Sequence, residues 1–127
     1  MLFRSALVGV GTGVGLAREA AELLAAEGVT PTVVDARFVK PLDTELLQRL
    51  AAGHRRIVTV EENTLAGGFG SAVLETVGGV TEVVRLGLPD AFVPHGDRAR
   101  ILADLGLTPQ GVALAARAQT PTLSRVE

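Results

Sequence analysis

The segment from Val60 to Leu74, VEENTLAGGFGSAVL, contains the residue types best suited to chemistry. An apolar, strand-like run leads into two carboxylates and an amide, then into a glycine-rich turn and a helix-like stretch. Its candidate site residues are Glu61, Glu62, Asn63, Gly67, Gly68 and Gly70. Carboxylates can move protons, and exposed backbone N–H groups can bind anions. Open α/β folds place their sites just after the carboxyl ends of strands, so this segment is the first place to look for a site.

The two carboxylates are adjacent, and side chains of adjacent strand residues point to opposite faces. Glu61 and Glu62 therefore do not form an acid and base pair around one substrate unless the strand bends. We expect instead that one of them accepts N–H groups of the turn from Gly67 to Gly70, or faces a neighbouring domain. Asn63 is expected to hold the turn. The turn lacks the Lys and Ser or Thr of a phosphate-binding P-loop.

A second glycine-rich segment superficially resembles a dinucleotide-binding turn. Its glycines, which follow the first strand-like run, are Gly9, Gly11, Gly13 and Gly15. The dinucleotide fingerprint needs a third glycine five residues after the first, and Val14, Leu16 and Arg18 occupy the candidate positions. We predict a tight strand-to-helix turn, with an anion site at the helix start as the alternative.

The other candidates are two histidines and two basic residues. His54 follows a predicted helix and is expected to be solvated near the helix C-terminus. His95 follows the last predicted strand; loop packing is expected there rather than catalysis, because no nucleophile motif adjoins it. Arg37 and Lys40 are expected to be solvated or paired, with phosphate binding as the alternative. No residue is therefore assigned to catalysis, a cofactor or a metal.

Composition limits the class of protein. The chain has 127 residues, 47% of them hydrophobic and 20% charged, which predicts one folded domain over residues 1–127 with a core from about 6 to 117 and a frayed tail from 118 to 127. A net charge of -2 and an aromatic content of 3% argue against nucleic-acid binding. Apolar runs are too short to cross a membrane, and the absence of cysteine fits a cytoplasmic protein.

Four short β-rich runs alternate with helical stretches: Leu7 to Val10, Thr32 to Asp35, Ile57 to Glu61 and Val83 to Leu86. Continuous apolar runs separated by helix-length gaps indicate parallel strands that are buried on both faces. The predicted fold class is therefore α/β, a three-layer α/β/α doubly wound sheet.

Local signals place the helices. The first is expected from about Val14 to Glu27, and its core face is predicted to consist of Leu16, Ala20, Leu23 and Leu24. Asp43 is the expected N-cap of the second helix, with Leu42 packing on Leu47. A third helix should follow the glycine turn and a fourth should lie between Asp97 and Leu105. Thr108, followed by Pro109, marks the start of a fifth.

Three segments together resemble one family. They are DARFVKPLD at 35–43, VEENTLAGGFGSAVLE at 60–75 and LGLPDAFVPHG at 86–96. In this order and spacing they resemble the C-terminal domain of the 1-deoxy-D-xylulose-5-phosphate synthases, thiamine diphosphate enzymes of the transketolase superfamily. The resemblance extends over about residues 6 to 117.

The resemblance implies a homodimer whose subunit has three α/β domains. Such enzymes condense pyruvate with glyceraldehyde 3-phosphate and release carbon dioxide, which supplies isoprenoid, thiamine and pyridoxal phosphate synthesis. Their first two domains hold thiamine diphosphate and Mg²⁺; this chain resembles only the third, and it lacks the superfamily's Gly-Asp-Gly motif. The implied role is structural or dimerising, without activity of its own. The expected interdomain or dimer contacts are Glu61, Glu62, Asn63, Gly67, Gly68, Gly70 and His95.

The start of the chain departs from the family, whose third domain is expected to open with an antiparallel edge strand that Met1 to Ser5 does not resemble. The resulting hypothesis is a truncated product or fragment with four parallel strands in the order 2-1-3-4. The strand from Thr32 to Asp35 would then be an unpaired edge prone to association.

Two alternatives remain open. One is the equivalent domain of another thiamine diphosphate enzyme, such as a split transketolase or the beta subunit of a 2-oxoacid dehydrogenase. The other is a free-standing regulatory module that binds a small anion at the turn from Gly11 to Gly15.

Overall fold

The computed structural model describes residues 5–36, 43–64, 68–88 and 98–117. In chain order these residues form β1 (Ser5–Gly9), α1 (Gly13–Ala26), β2 (Thr32–Asp35), α2 (Thr44–Gly53), β3 (Arg56–Thr64), α3 (Phe69–Val77), β4 (Glu82–Leu88), α4 (Arg98–Asp104) and α5 (Pro109–Arg117). The strands and helices predicted from the sequence are all present, with boundaries shifted by a few residues at most. The tail from 118 to 127 lies outside the described residues.

The strands form one parallel sheet in the order β2-β1-β3-β4, which confirms the predicted topology. Its central strands are apolar because both faces are covered by helices. One face buries Leu7, Val58 and Val60 beneath α1 and α5. The other buries Val8 and Ile57 beneath α2 and α3. The result is the expected α/β/α arrangement.

Two of the predicted helix caps are present. The Asp43 carboxylate accepts a hydrogen bond from the amide of Leu46 at 3.0 Å, and the Thr108 hydroxyl accepts one from the amide of Gly111 at 3.0 Å. Each side chain pairs an N–H that has no partner inside its helix. The packing of Leu42 on Leu47 lies outside the described residues.

The predicted core face of α1 was partly wrong. Leu24 and Ala20 are buried, but Leu23 is 38% exposed, and the helix packs instead through the smaller Val14 and Ala17. The predicted core face included Leu23 because its side chain is large and apolar. The glycine turn brings the start of α1 close to the sheet, so small residues make the contact there.

Strand β2 is an edge strand in the described part of the sheet. It has only four residues, it follows Pro31, and it ends at the exposed Asp35. A short edge strand, a flanking proline and a charge are features that discourage edge-to-edge pairing. The association of this edge stays a prediction, and these features weigh against it.

The end of α5 lies at the amino-terminal end of the sheet, where the strands begin. The buried Ser5 hydroxyl donates to the Ala116 carbonyl at 2.9 Å. Arg56, which is 5% exposed, donates to the Ala115 carbonyl at 2.9 Å and forms an ion pair with Glu82 at 2.6 Å. A cation at the last carbonyls of a helix complements the helix dipole. The two side chains thus fix α5 to the amino ends of β1 and β3.

Replacing Arg56 with Met should lower the unfolding free energy by about 2 to 3 kcal/mol. Methionine keeps most of the buried volume but leaves the Ala115 carbonyl without its donor. The cost is limited because the side chain of Glu82 is 57% exposed and water can solvate it. Urea titration of the variant measures the loss. Arg18→Met, on the exposed face of α1, is the control and should change stability by less than about 0.5 kcal/mol. Equal stabilities for the two variants would contradict the role of Arg56.

Candidate functional site

The candidate site lies where β3 ends, at the carboxyl edge of the sheet. Strand order reverses between β1 and β3 because the chain goes from β1 to β2 on one side and then returns to β3 on the other. Such a switch point is the usual location of a ligand crevice in an open α/β sheet. The segment singled out from the sequence therefore occupies the position where doubly wound folds place their sites.

A bulge interrupts the pairing of β3 with β4 near the end of β3. Val60 pairs with Leu86 and Thr64 pairs with Leu88, so four residues along β3 correspond to only two residues along β4. Strand β3 thus carries two extra residues in the part that contains the adjacent glutamates. Bulges change the direction of side chains and are frequent next to active sites. The pairing of β3 with β4 is therefore irregular where the two adjacent glutamates lie.

Glu61 turns into the molecule and is 1% exposed. Its Oε1 accepts a hydrogen bond from the amide of Phe69 at 3.0 Å, and its Oε2 accepts one from the amide of Gly70 at 2.6 Å. These are the first two N–H groups of α3, which have no partner inside the helix. A carboxylate at this position also complements the helix dipole. This confirms the expectation that one of the glutamates binds N–H groups of the glycine turn.

The start of α3 sits against the sheet because residue 70 is glycine. A Cβ at Gly70 would lie 2.7 Å from Thr59 Oγ1 and 3.1 Å from Glu61 Oε2. Arg85 passes beside the same point and donates from Nη1 to the Ser71 hydroxyl at 3.0 Å. The Thr59 hydroxyl is buried and has no hydrogen-bond partner among the described residues. A compact polar cluster therefore holds the first turn of α3.

Sequence reasoning did not find Thr59, Ser71 or Arg85. Thr59 lies two residues before Glu61, so the two share one face of β3, and this spacing is a usable signal. Arg85 is paired with Thr59 in the sheet. That pairing depends on the register of β3 and β4, which the sequence alone does not provide.

The glycine turn after β1 abuts the site. A Cβ on Gly13 would overlap the backbone carbonyl of Val60, so the turn lies directly against β3. Gly11 has a φ of 58°, a conformation that favours glycine. The amides of Gly13 and Val14 donate to the carbonyls of Val10 and Gly11 at 2.9 and 3.1 Å. These internal bonds support the predicted tight turn and leave those two amides unable to bind an anion.

The structure locates only some of the predicted contact residues. Glu62 is half-buried, Asn63 lies in β3, and Gly68 is the N-cap of α3. Gly67 and His95 lie outside the described residues, as do Arg37 and Lys40. That these residues contact another domain or a second subunit stays a prediction. For Glu61, the visible role is internal.

His54 is not the solvated residue that was expected. Its ring is partly buried at the amino-terminal end of the sheet, away from the candidate site. Nδ1 lies 2.8 Å from the Leu50 carbonyl and Nε2 lies 2.8 Å from the Thr32 hydroxyl. The Thr81 hydroxyl donates to the His54 carbonyl at 2.8 Å. The expectation failed because Thr32 and Thr81 are distant in sequence and come together only through the sheet. His54 ties α2 to β2 and lies far from the candidate site.

Neither a metal centre nor a membrane segment is found in the described parts of the chain. No three His, Asp or Glu side chains there lie close enough together to hold a metal ion. None of the described helices is long and apolar enough to span a bilayer. An open depression between Ala52, His54 and Val80 lies at the amino edge, away from Glu61.

The sequence profile of the transketolase C-terminal domain matches residues 4–112. The chain belongs to the transketolase C-terminal domain family. The match includes β1 to β4 and therefore both the bulge and the Glu61 cap; only the second half of α5 extends beyond it.

Within this family, the chain is 53% identical over 114 residues to the 1-deoxy-D-xylulose-5-phosphate synthase of Heliobacterium modesticaldum, spanning 87% of this chain and 18% of that protein. It is also 53% identical over 116 residues to the synthase of Symbiobacterium thermophilum, spanning 89% of this chain and again 18% of the relative. The chain thus spans less than a fifth of the length of these curated relatives.

Solved structures support the same family fold. A split-gene transketolase, described as an inactive beta4 tetramer, superimposes with a TM-score of 0.80 at 36% identity over 90% of this chain and 38% of that chain. A transketolase from Pichia stipitis superimposes with a TM-score of 0.60 at 23% identity over 88% of this chain and 15% of that chain, which supports the fold alone.

Proposed function

We propose that the chain is the C-terminal domain of a 1-deoxy-D-xylulose-5-phosphate synthase. The observation that carries the proposal is the 53% identity to synthases of two different organisms over nearly the whole chain. The split-gene transketolase is less similar, at 36% identity. In the whole enzyme the reaction is the condensation of pyruvate with glyceraldehyde 3-phosphate with loss of carbon dioxide, in a cytoplasmic pathway towards isoprenoids, thiamine and pyridoxal phosphate.

The role of this domain is structural. Thiamine diphosphate and Mg²⁺ would be held by the other domains, because this chain resembles only the third domain and lacks the superfamily's Gly-Asp-Gly motif. When bound there, the cofactor supplies the carbanion chemistry that joins the two substrates. The residues of this chain pack on the cofactor-binding domains and support the homodimer. Glu61 is the most buried ionisable group at the candidate site. Its carboxylate caps α3 by accepting two backbone N–H groups, and we assign it no acid or base role.

The isolated chain is expected to show no synthase activity. Purified chain is supplied with pyruvate, glyceraldehyde 3-phosphate, thiamine diphosphate and Mg²⁺, and carbon dioxide release is measured. Turnover above the enzyme-free rate would contradict a purely structural role.

Activity should instead depend on the rest of the enzyme. The Heliobacterium synthase is prepared with its 114-residue matching segment deleted, and also with that segment replaced by this chain. The deletion should be inactive and the replacement active. The same pair is made in the Symbiobacterium synthase, so that a single poorly folding host does not decide the result. Inactive replacements in both hosts would overturn the proposed function.

A split transketolase remains the second candidate because of the TM-score of 0.80. The two functions differ in their substrates, since a transketolase moves a two-carbon ketol unit between sugar phosphates and needs no pyruvate. The chain is therefore also substituted for the matching segment of the split-gene transketolase within its active enzyme, and ketol transfer is measured. Activity in the synthase hosts without activity in the transketolase host favours the synthase.

A further inference from the structure

The C-terminal end of α2 lacks the cap that closes α1 and α5. The amides of Gly28 and Val29 donate to carbonyls in the last turn of α1 at 3.0 and 2.9 Å. The side chains of Ser5 and Arg56 donate to carbonyls in the last turn of α5. After α2 the chain leaves in an extended conformation at His54, with φ of -135° and ψ of 145°. The backbone that follows α2 therefore does not turn back to donate to the helix.

Three carbonyls at the end of α2 have no donor. The Leu50 carbonyl lies 2.8 Å from Nδ1 of His54, but the carbonyls of Ala51, Ala52 and Gly53 accept no hydrogen bond from the parts of the chain that the structure describes. The last carbonyls of a helix point away from its end and carry the negative end of its dipole. No basic residue lies in the last turn of α2. The end of α2 is thus a group of acceptors without donors.

This end of α2 borders the depression at the amino-terminal end of the sheet. The depression has a volume of about 560 Å³, and residues of both α2 and the segment after α3 line it, among them Ala52, Gly78, Gly79 and Val80. Helix α3 ends at Gly78 and also has no basic residue in its last turn. The negative ends of two helix dipoles therefore meet at one depression, whose volume is in the range of small-ligand sites.

Glu82, which also lines the depression, adds a formal negative charge. Its Oε1 accepts both hydrogen bonds from Arg56, at 2.8 Å from Nε and 2.6 Å from Nη2. Its Oε2 accepts none from a described residue, and the side chain is 57% exposed. The carboxylate therefore keeps one oxygen for a second cation.

We propose that the depression at the end of α2 binds a guanidinium group. A guanidinium has five N–H donors and no acceptor, in a planar fork that can bond to carbonyl and carboxylate oxygens together. These donors match an acceptor set made of the Ala51, Ala52 and Gly53 carbonyls and Glu82. Arg55 also lines the depression, and its like charge opposes a second cation, so we expect a dissociation constant of about 1 mM. The inference does not depend on the proposed function.

Nuclear magnetic resonance of the isolated chain tests the site with three probes. Methylguanidinium represents a free guanidinium compound, acetyl-arginine amide represents an arginine side chain of another protein, and methylammonium is the control cation. Sodium chloride at equal ionic strength gives the reference spectrum. The amides of Ala52, Gly53 and Val80 should shift saturably with a guanidinium probe, and methylammonium should bind at least about fivefold more weakly because it has fewer donors. Tighter binding of the arginine amide assigns a protein partner, and tighter binding of methylguanidinium assigns a free compound.

Two variants change opposite sides of the depression. Ala52→Lys tethers a cation at the exposed end of α2, so it should raise the melting temperature and weaken guanidinium binding by about tenfold or more. Ala25→Lys is the matched control, because it places a cation in the last turn of α1, whose carbonyls are already capped; guanidinium binding should not change. Glu82→Gln keeps an oxygen that can accept from Arg56 but removes the charge, and should weaken binding by about fivefold.

The inference is overturned if the amide shifts do not saturate by about 20 mM guanidinium probe, or if sodium chloride produces the same shifts. The carbonyls of α2 would then be solvated by water alone. It is overturned equally if methylammonium binds as tightly as both guanidinium probes, or if Glu82→Gln and Ala52→Lys both bind like the unsubstituted chain. Circular dichroism of each variant shows whether it is folded, and either folded variant is sufficient for the comparison. Activity of the replacement synthase has no part in these outcomes.

Discussion

Replacing Glu61 with Ala is expected to lower the unfolding free energy by about 3 to 5 kcal/mol. The substitution removes an acceptor that serves the amides of Phe69 and Gly70 at 3.0 and 2.6 Å. A hydrogen bond to a charged group contributes about 1.5 to 3 kcal/mol, and a buried donor that loses its acceptor adds a further cost. Domains of this size are stable by only about 5 to 15 kcal/mol, so the loss is a large share.

Chemical denaturation of both proteins measures the difference, and amide exchange locates it. Protection should fall first at Phe69 and Gly70, because these amides lose their acceptor. Glu61→Gln should be intermediate, since the amide oxygen can accept one bond while its NH₂ group opposes the other donor. Glu75→Ala, an exposed glutamate on the same helix, is the control. A loss below about 1 kcal/mol for Glu61→Ala would show that the cap contributes little.

Added acetate provides a second readout for the same variant. The space left by Glu61→Ala retains two N–H donors and the neighbouring Thr59 hydroxyl, which has no described partner. A small carboxylate that binds there stabilises the folded state by mass action. Acetate should therefore raise the melting temperature of Glu61→Ala more than that of the wild-type chain, compared with chloride at equal ionic strength. An equal response of the two proteins would show that the carboxylate site is not open in the variant.

Local patterns predicted the fold well because most of its determinants are local. The N-cap Asp43, the start of α5 at Pro109 and the four strands follow from residues within one element, and the structure confirms them. Parallel strand order then follows from the family resemblance. The prediction that His54 is solvated failed for the opposite reason, because its partner Thr32 is 22 residues away in the sequence.

The candidate site was predicted in part. Its place after β3 and the role of one glutamate as acceptor for the glycine turn followed from residue type and spacing. Glu61 shares the face of Thr59, as regular alternation along β3 predicts, but its role as the acceptor depends on where α3 packs on the sheet. The cluster of Thr59, Ser71 and Arg85 depends on the pairing of Thr59 with Arg85. The periodicity of one strand gives the face of a residue but not its neighbour on the next strand, so it cannot find this cluster.

Replacing Gly13 with Ala is expected to destabilise the chain by about 4 kcal/mol or more, or to prevent folding. The added Cβ would overlap the backbone carbonyl of Val60. That carbonyl cannot move freely, because it accepts a hydrogen bond from the Val10 amide at 3.1 Å and belongs to a central strand. Ordinary overpacking costs about 1 to 3 kcal/mol because side chains can shift, whereas here backbone meets backbone.

Gly15→Ala is the matched control, since it makes the same chemical change two residues later in the same helix. A Cβ at Gly15 has no neighbour within 4 Å, and the residue is exposed. Alanine in a helix interior is more favourable than glycine by about 0.5 to 1 kcal/mol, so this variant should gain stability. Thermal unfolding and the soluble yield of both variants are compared with wild type. The two substitutions should change the unfolding free energy in opposite directions. If Gly13→Ala were as stable as Gly15→Ala, the turn could move away from β3, and Glu61 alone would fix the site.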